Sequence, residues 1–371
     1  MAISLDHEPF SKYVSIMLWL LITLSVSHWK PTHLTQARLI PSSSQMSPSL
    51  LQNSVMQNLG DDAAISTGLV TLQSHKRKPM ALVPPTPLIL PYHNGPVLSG
   101  PAPIKVYMLF YGSFSEPQKQ IIRSFISSFN APKQKGTPTV STWWALTSKY
   151  TDQNGAAVSQ NVMIGGEISD AAESFGKVLS KDDILKIVLK SLKVYPVTSP
   201  NSIYLVLTAA DVSVDGFCQN YCGQHFYTYP SQTPTKQQIP YGWVGNSASQ
   251  CPGFCAWPYA KPQFGPNAPP LLPPNKDVGI DGMIISMAKV IAAAATDPFG
   301  TAYYQGDASA ALETGGACAG AFGDGSYPGD PGKLLKNSKT GASFNVYGAL
   351  NTEFLLPWIW DPAKLACAGQ A

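Results

Sequence analysis

The chain has 371 residues, a net charge of +3 and only 13% charged residues, and its 33 prolines and 30 glycines mark a loop-rich protein. An average globular protein carries about 25% charged residues. A pI near 8.4, with no dense Lys/Arg stripe interleaved with aromatics, excludes nucleic acid as a partner class.

Tyr13 to Val26 is an apolar run preceded by Lys12 and followed by the small-x-small triplet Ser25-Val26-Ser27, which predicts a secretory signal over residues 1–27. Asp6 and Glu8 dilute its positive end, and an uncleaved anchor is the other reading. From Pro31 to Pro87 the chain is rich in Ser, Gln, Pro and Thr without a sustained period. That composition buries too little surface to offset chain entropy, so residues 28–87 are expected to be a disordered leader. His75-Lys76-Arg77-Lys78 within it is either a processing site or a solvated basic patch.

Order is expected from Leu88 onward. Ile104 to Tyr111 is a β-branched and aromatic run between Pro103 and Gly112, a buried strand. Ser115 and Pro117 open a helix whose apolar residues, Ile121, Ile122, Phe125, Ile126 and Phe129, recur at helical spacing. Ser141 to Tyr150 reads as a second helix with Trp143 and Trp144 in the core. Ser180 to Asp183 has the form of a capping box before a third helix, and Ser202 to Thr208 is another buried strand.

Gly216 to Tyr259 then carries four cysteines among aromatic residues and prolines, a disulfide-braced β-region. From Gly279 to Phe299 the chain is apolar nearly all round, with only Ser286 and Lys289 polar between Asp281 and Thr296. This predicts a core helix, stopped by Asp297-Pro298 and too short to cross a bilayer. Beyond it lie a glycine-rich loop (315–332), a strand (342–347) and an apolar tail (354–360) that should dock on the core. No transmembrane segment is expected after the signal. The whole predicts one α/β domain over residues 88–371, with a mixed central sheet, packed helices and the braced β-region.

All six cysteines lie beyond the signal, and an even number in an exported chain favours disulfides. Cys218 and Cys222 are expected to bond across to Cys251 and Cys255, and Cys318 to Cys367, with the connectivity left open by spacing. The two Cys-x-x-x-Cys pairs also admit zinc, but without the usual ribbon spacing. There is no Asn-x-Ser/Thr acceptor, so N-glycosylation is not expected.

Catalytic motifs are sparse. There is no Gly-x-Ser-x-Gly elbow, no phosphate-binding glycine loop and no His-Glu-x-x-His helix. Past the leader only His93 and His225 remain as candidate imidazoles. Asp211 and Asp215 make a weak calcium candidate, and Glu313 with Asp281 is the one carboxylate pair worth testing for glycoside hydrolysis.

Several longer motifs occur in order: Tyr92-His93-Asn94-Gly95-Pro96-Val97-Leu98, Tyr111-Gly112-Ser113-Phe114, Val140-Ser141-Thr142-Trp143-Trp144, Asp211-Val212-Ser213-Val214-Asp215-Gly216-Phe217-Cys218, Trp243-Val244-Gly245-Asn246-Ser247-Ala248 and Cys251-Pro252-Gly253-Phe254-Cys255-Ala256-Trp257-Pro258. From about Leu88 to the C-terminus, the chain resembles the plant EXORDIUM/phosphate-induced family. The resemblance implies secretion into the cell-wall space (apoplast) and a role in cell expansion and growth, linked to brassinosteroid and carbon status. It implies no settled activity.

In many members of that family the core helix resembles a zinc-site helix, His-Glu-Leu-Ala-Glu, which implies a zincin-like scaffold. Here the three ligand-type positions are Lys289, Val290 and Ala293. Valine and alanine have no electron pair to give, so the expectation is a zincin-like fold without the metal site: no cofactor, no metal and no catalytic residues. Lys289, Glu313, His93 and His225 are left as a candidate remnant site, with Lys289 expected either to pair with Glu313 or to reach solvent past its own methylenes. The resulting expectation is a secreted, non-catalytic protein that binds a cell-wall or cell-surface ligand. The alternatives are a divergent metallohydrolase using His93, His225 and Glu313, and a carbohydrate-binding module built on aromatic rings of the cysteine-rich region.

Overall fold

The computed structural model describes residues 87–371 except 133–135 and 264. The expected signal, the leader up to residue 86 and the basic run at 75–78 lie outside the described residues.

Ile104–Tyr111 (β1) is buried along its length apart from Lys105, as its unbroken apolar run dictates. Ser115 then opens Glu116–Ser128 (α1) with a complete capping box, Gln118 bonding back to the Ser115 amide at 3.0 Å. Val140–Trp144 (α2) is capped by Thr139 and tightens at once into a 3₁₀ turn over Ala145–Lys149, so the helix expected up to Tyr150 is two pieces. Trp143 and Trp144 are fully buried, as expected.

Val162–Asp170 (β2) follows, then the two-residue strand Val178–Leu179 (β3) and the helix Lys181–Ser191 (α3), whose Ser180/Asp183 capping box forms as read. Ser202–Thr208 (β4) and Ser213–Val214 (β5) lead to the hairpin of Gly223–Tyr227 (β6) and Pro240–Gly245 (β7). The one-turn helix Pro252–Cys255 (α4) precedes Val278–Thr296 (α5), after which Tyr304–Gln305 (β8) and Leu312–Glu313 (β9) form a short ribbon.

The central sheet has the order β2-β1-β4-β7-β6, with the first four strands parallel and β6 antiparallel on β7. Its two faces feed separate cores. One packs β1 and β4 against α1, α2 and α5 through Phe125, Phe129, Trp143, Trp144, Ile284 and Ile291. The other packs the opposite side chains of the same strands against α3 and the cysteine-rich loops through Tyr204, Val206, Ile184, Val188 and Trp243. This is the expected mixed α/β class, a three-layer arrangement.

Cys218 bonds to Cys251 and Cys222 to Cys255, so two parallel bridges tie α4 to the loop before β6. Cys318–Cys367 ties the C-terminal segment to the glycine-rich loop. The apolar tail docks as expected, with Phe354, Leu356 and Ile359 fully buried. The expected strand over 342–347 is interrupted at Asn345, whose side chain instead bridges the Phe322 and Leu356 carbonyls.

α5 is buried from Gly279 to Thr296 except at Lys289. Contrary to the sequence expectation, its 19 residues are long and apolar enough to cross a membrane, but 89% of its most apolar window is enclosed by the fold. Being apolar on every side, it needs cover on every side, and the sheet, α1 and α4 supply much of it.

Candidate functional site

The C-terminal half of α5 lies under the edge of the sheet. Val290 packs at Gly242 of β7, the cross-strand partner of His225 on β6. On the other side the chain passes directly over the α5 backbone: a Cβ on Gly315 would overlap the Lys289 carbonyl, so only glycine fits there. These two contacts bring β6, α5 and β9 to one place.

His225 Nε2 lies 2.7 Å from Glu313 Oε1, their side chains 9% and 17% exposed. Burial pulls the His225 pKa down, but the Glu313 charge and hydrogen bond, with Asp297 beyond, more than offset it, so the imidazole is raised. His225 Nδ1 is buried without a hydrogen-bond partner.

Asp297, which ends α5, is fully buried. Its Oδ1 accepts the amides of Thr301 and Ala302, both at 2.7 Å, while Oδ2 is buried without a partner. Burial pushes this carboxyl up, against the pull of the Ala302 amide, and nearby Glu313 adds to the rise. The Thr296 and Thr314 hydroxyls meet at 3.0 Å and fasten the chain after β9 to the last turn of the helix.

Lys289 is half-buried. Its ammonium makes no hydrogen bond or ion pair with any described residue, and burial alone pulls its pKa down. Of the two readings for Lys289, the pair with Glu313 does not form, because Glu313 is held by His225 88 residues away in sequence, and a nitrogen absent from the buried unpartnered atoms agrees with the solvent-reaching one. His93 stands beside the group rather than in it. Its ring stacks on Tyr304 at 3.9 Å, and Tyr304 is the β8 partner of Glu313. Asp281 sits near the other end of α5, about 24 Å along the axis from Asp297. Glu313 is bonded to His225 and Asp281 to Asn275, and no contact brings these two carboxylates together as a glycosidase pair. Asp211 makes a surface ion pair with Lys177.

Sequence reasoning missed Asp297. It read as a helix stop, and the only signal for more was a carboxylate placed where a long apolar helix ends inside the protein.

These groups do not fit a zinc ion. Val290 and Ala293 offer no lone pair, Lys289 carries a positive charge, and His225 and Glu313 are engaged with each other. Among the described residues no three His, Cys, Asp or Glu side chains converge as metal ligands.

The aromatic residues of the cysteine-rich region do not form a flat stacking platform. Phe217, Tyr241, Trp243 and Tyr259 are buried, and Tyr227 meets the exposed Tyr229 edge-on at 73°. Trp257 alone lines a groove of about 350 Å³, with Pro258, Leu271 and Leu334 beside Asp330 and Lys336.

Residues 90–370 match the sequence pattern described as the phosphate-induced protein 1 conserved region. The chain is 43% identical to Protein EXORDIUM of Arabidopsis thaliana over 289 residues, 76% of this chain and 88% of the relative. It is 41% identical to Protein PHOSPHATE-INDUCED 1 of Nicotiana tabacum over 295 residues, 79% of this chain and 92% of the relative. It is also 41% identical to Protein EXORDIUM-like 1 of Arabidopsis thaliana over 286 residues, covering 75% and 88%. No solved structure matches the chain. With one conserved region spanning the described α/β domain and relatives this similar along most of their own length, the protein belongs to the EXORDIUM/phosphate-induced family.

Proposed function

We propose that this protein is exported to the plant cell-wall space and acts there in cell expansion and growth, by binding a ligand rather than by catalysis. Export is supported by the apolar N-terminal run and by three disulfides, which persist in oxidising compartments and are rare in the cytosol. The growth role is supported by family membership.

The observation that carries the binding reading is the chemistry of the α5 face. A hydrolase needs a polarised water or an activated nucleophile. Val290 and Ala293 supply neither, no described group is paired with Lys289 to activate it, and His225, the imidazole within the group, is bonded through Nε2 to Glu313 while His93 stands outside it on Tyr304.

The test uses the protein secreted by its own plant. It should be recovered in apoplastic wash fluid, and elemental analysis should find well under one zinc per chain. One tightly held zinc per chain, removed together with a hydrolytic activity by a chelator, would establish the metallohydrolase alternative and sink the binding reading. Retention inside the cell would sink the export reading on its own. Plants lacking the protein should expand less, and only a transgene that keeps residues 1–27 should restore them.

A further inference from the structure

The two edges of the central sheet are finished differently. On β2 the outer backbone is capped at Val162 and at Glu167. Asn130 bonds both the amide and the carbonyl of Val162, at 3.2 and 2.6 Å, and the Tyr195 hydroxyl bonds the Glu167 carbonyl at 3.2 Å. The Glu167 carboxylate is clamped by Arg123, and the register shifts beside Gly166, where the Tyr195 ring lies. A bulge, charges and side-chain caps are the usual protections against strand addition.

β6 has neither a bulge nor a side-chain cap on its outer backbone, and the charges near it, His225 paired with Glu313 and Lys181 over the Phe226 ring at 5.5 Å, bond to none of its backbone groups. The Gly245 amide bonds the Cys222 carbonyl and the Thr228 amide bonds the Ile239 carbonyl, which sets the alternation of the antiparallel ladder. Even-numbered residues of β6 therefore face β7, and the amides and carbonyls of Gly223, His225 and Tyr227 face away from the sheet. None of these six groups has a hydrogen-bond partner among the described residues, and the strand itself, Gly-Gln-His-Phe-Tyr, contains no lysine, carboxylate or proline.

The second observation lies beside that edge. Lys289, which has no ion pair with a described residue, lies on the α5 turn whose Val290 packs against Gly242 of β7, the cross-strand partner of His225. The Lys289 nitrogen is not among the buried atoms that lack a partner, so it can be reached from outside, and a carboxylate brought to this half-buried cation gains a partly desolvated ion pair. Backbone groups spaced two residues apart are matched by another extended chain, and the free positive charge selects its sign. We propose that β6 binds an extended peptide by strand addition, with an acidic group of that peptide at Lys289. The proposal rests on the reading that the protein acts by binding, and it gives that reading a ligand class and a site.

The test starts from two peptide pools, Ac-XXXEXXX-amide and Ac-XXXQXXX-amide, passed over the immobilised secreted protein. Sequences should be enriched from the Glu pool. On binding, the amides of Gly223, His225 and Tyr227 should exchange at least tenfold more slowly, while those of Gln224 and Phe226 stay unchanged. Lys289→Met should weaken the enriched peptides at least tenfold, and Lys289→Arg should restore most of the loss. N-methylating alternate peptide amides should abolish binding in one phase and spare it in the other, a readout that leaves the protein untouched. Failure of both pools, equal enrichment from both, or binding indifferent to N-methylation overturns the proposal. So does protection that grows with protein concentration without peptide, which assigns the edge to a second copy of the chain. Cleavage of the enriched peptides would instead overturn the non-catalytic reading and leave the site standing.

Discussion

The two ends of α5 are both buried and both carry carboxylates, yet they are built on opposite principles. At the N-terminal end Asp277 caps the Ile280 amide at 3.0 Å and accepts Gln118 Nε2 at 2.9 Å. Asp281 takes the amide and the side-chain nitrogen of Asn275 at 3.0 and 2.6 Å, one on each oxygen. At the C-terminal end Asp297 Oδ2 and His225 Nδ1 are buried without a partner, and the half-buried Lys289 makes no ion pair with any described residue. Buried polar groups in native proteins are nearly always satisfied. Between these two ends of α5 it is the matching of donors to acceptors, not burial, that differs, although Thr208 Oγ1, Trp243 Nε1 and Ser247 Oγ in and beside β4 and β7 are also buried without a partner.

The largest expected effect breaks the comparison by pH. Burial first, opposed by the two Asn275 bonds, pushes Asp281 up to about 7. In the unfolded chain its pKa is near 3.9, so between these values the folded state holds the extra proton and stability falls as pH rises. Asp297, raised by burial, acts in the same direction from about pH 3.9 upward, and so does His225, also raised on folding, as pH climbs from about 6.5 through its folded value. Asp152 and Asp361, held below their ordinary range, lose stability only as pH falls under about 4 and leave this window alone. Urea unfolding should show a loss on the order of 4 kcal/mol between pH 4 and pH 8, most of it missing in Asp281→Asn. Stability that rises over the same window contradicts the account of the N-terminal end.

Next in size is the ion pair at the other end. His225→Ala strands Glu313 in a site where its side chain is 17% exposed, and removing one partner of a largely buried pair costs about 3 kcal/mol. Glu313→Gln keeps an acceptor for the imidazole and should cost about 1 kcal/mol. Equal losses from the two would mean that His225 is held by packing rather than by charge. Gly315→Ala should cost about 2 kcal/mol, because its new carbon meets the Lys289 carbonyl and one of the two segments must shift.

Much of this fold is legible in the residues. β1, α1, α3, β4 and α5 each announce themselves by a local pattern, whether an unbroken apolar run, a capping box or a helical period. β2 does not. Val162–Asp170 is half-exposed, holds Gly165 and Gly166 at its bulge and alternates poorly, because a sheet edge has no second neighbour to demand hydrophobic residues. The candidate site is legible only in its members. Glu313 and His225 stand out as scarce titratable groups, but their pairing depends on β9 crossing α5 at Gly315, a long-range contact with no periodic signature. Lys289 was visible as the odd charge on an apolar helix. Its lack of a carboxylate was not, because that depends on which partner reaches Glu313 first.

The smallest expected effect discriminates most sharply, since the same isosteric change is made at both ends. Asp281→Asn replaces one accepting oxygen with an NH₂ group facing an Asn275 donor, so a buried hydrogen bond becomes a clash of donors costing about 2 kcal/mol. Asp297→Asn can keep its carbonyl oxygen on the Thr301 and Ala302 amides and turn its NH₂ toward the side where Oδ2 already has no partner. No existing bond is lost, and a buried carboxyl beside Glu313 is replaced by a neutral group, so the change should lie within about 0.5 kcal/mol of zero. Urea midpoints of the two variants at pH 4, where the folded Asp281 is still protonated and the charging cost that Asp281→Asn relieves at higher pH is absent, measure the difference directly. A loss of about 2 kcal/mol at both ends would show that Asp297 Oδ2 is engaged after all, and would remove the distinction on which the C-terminal end of α5 is read as a site.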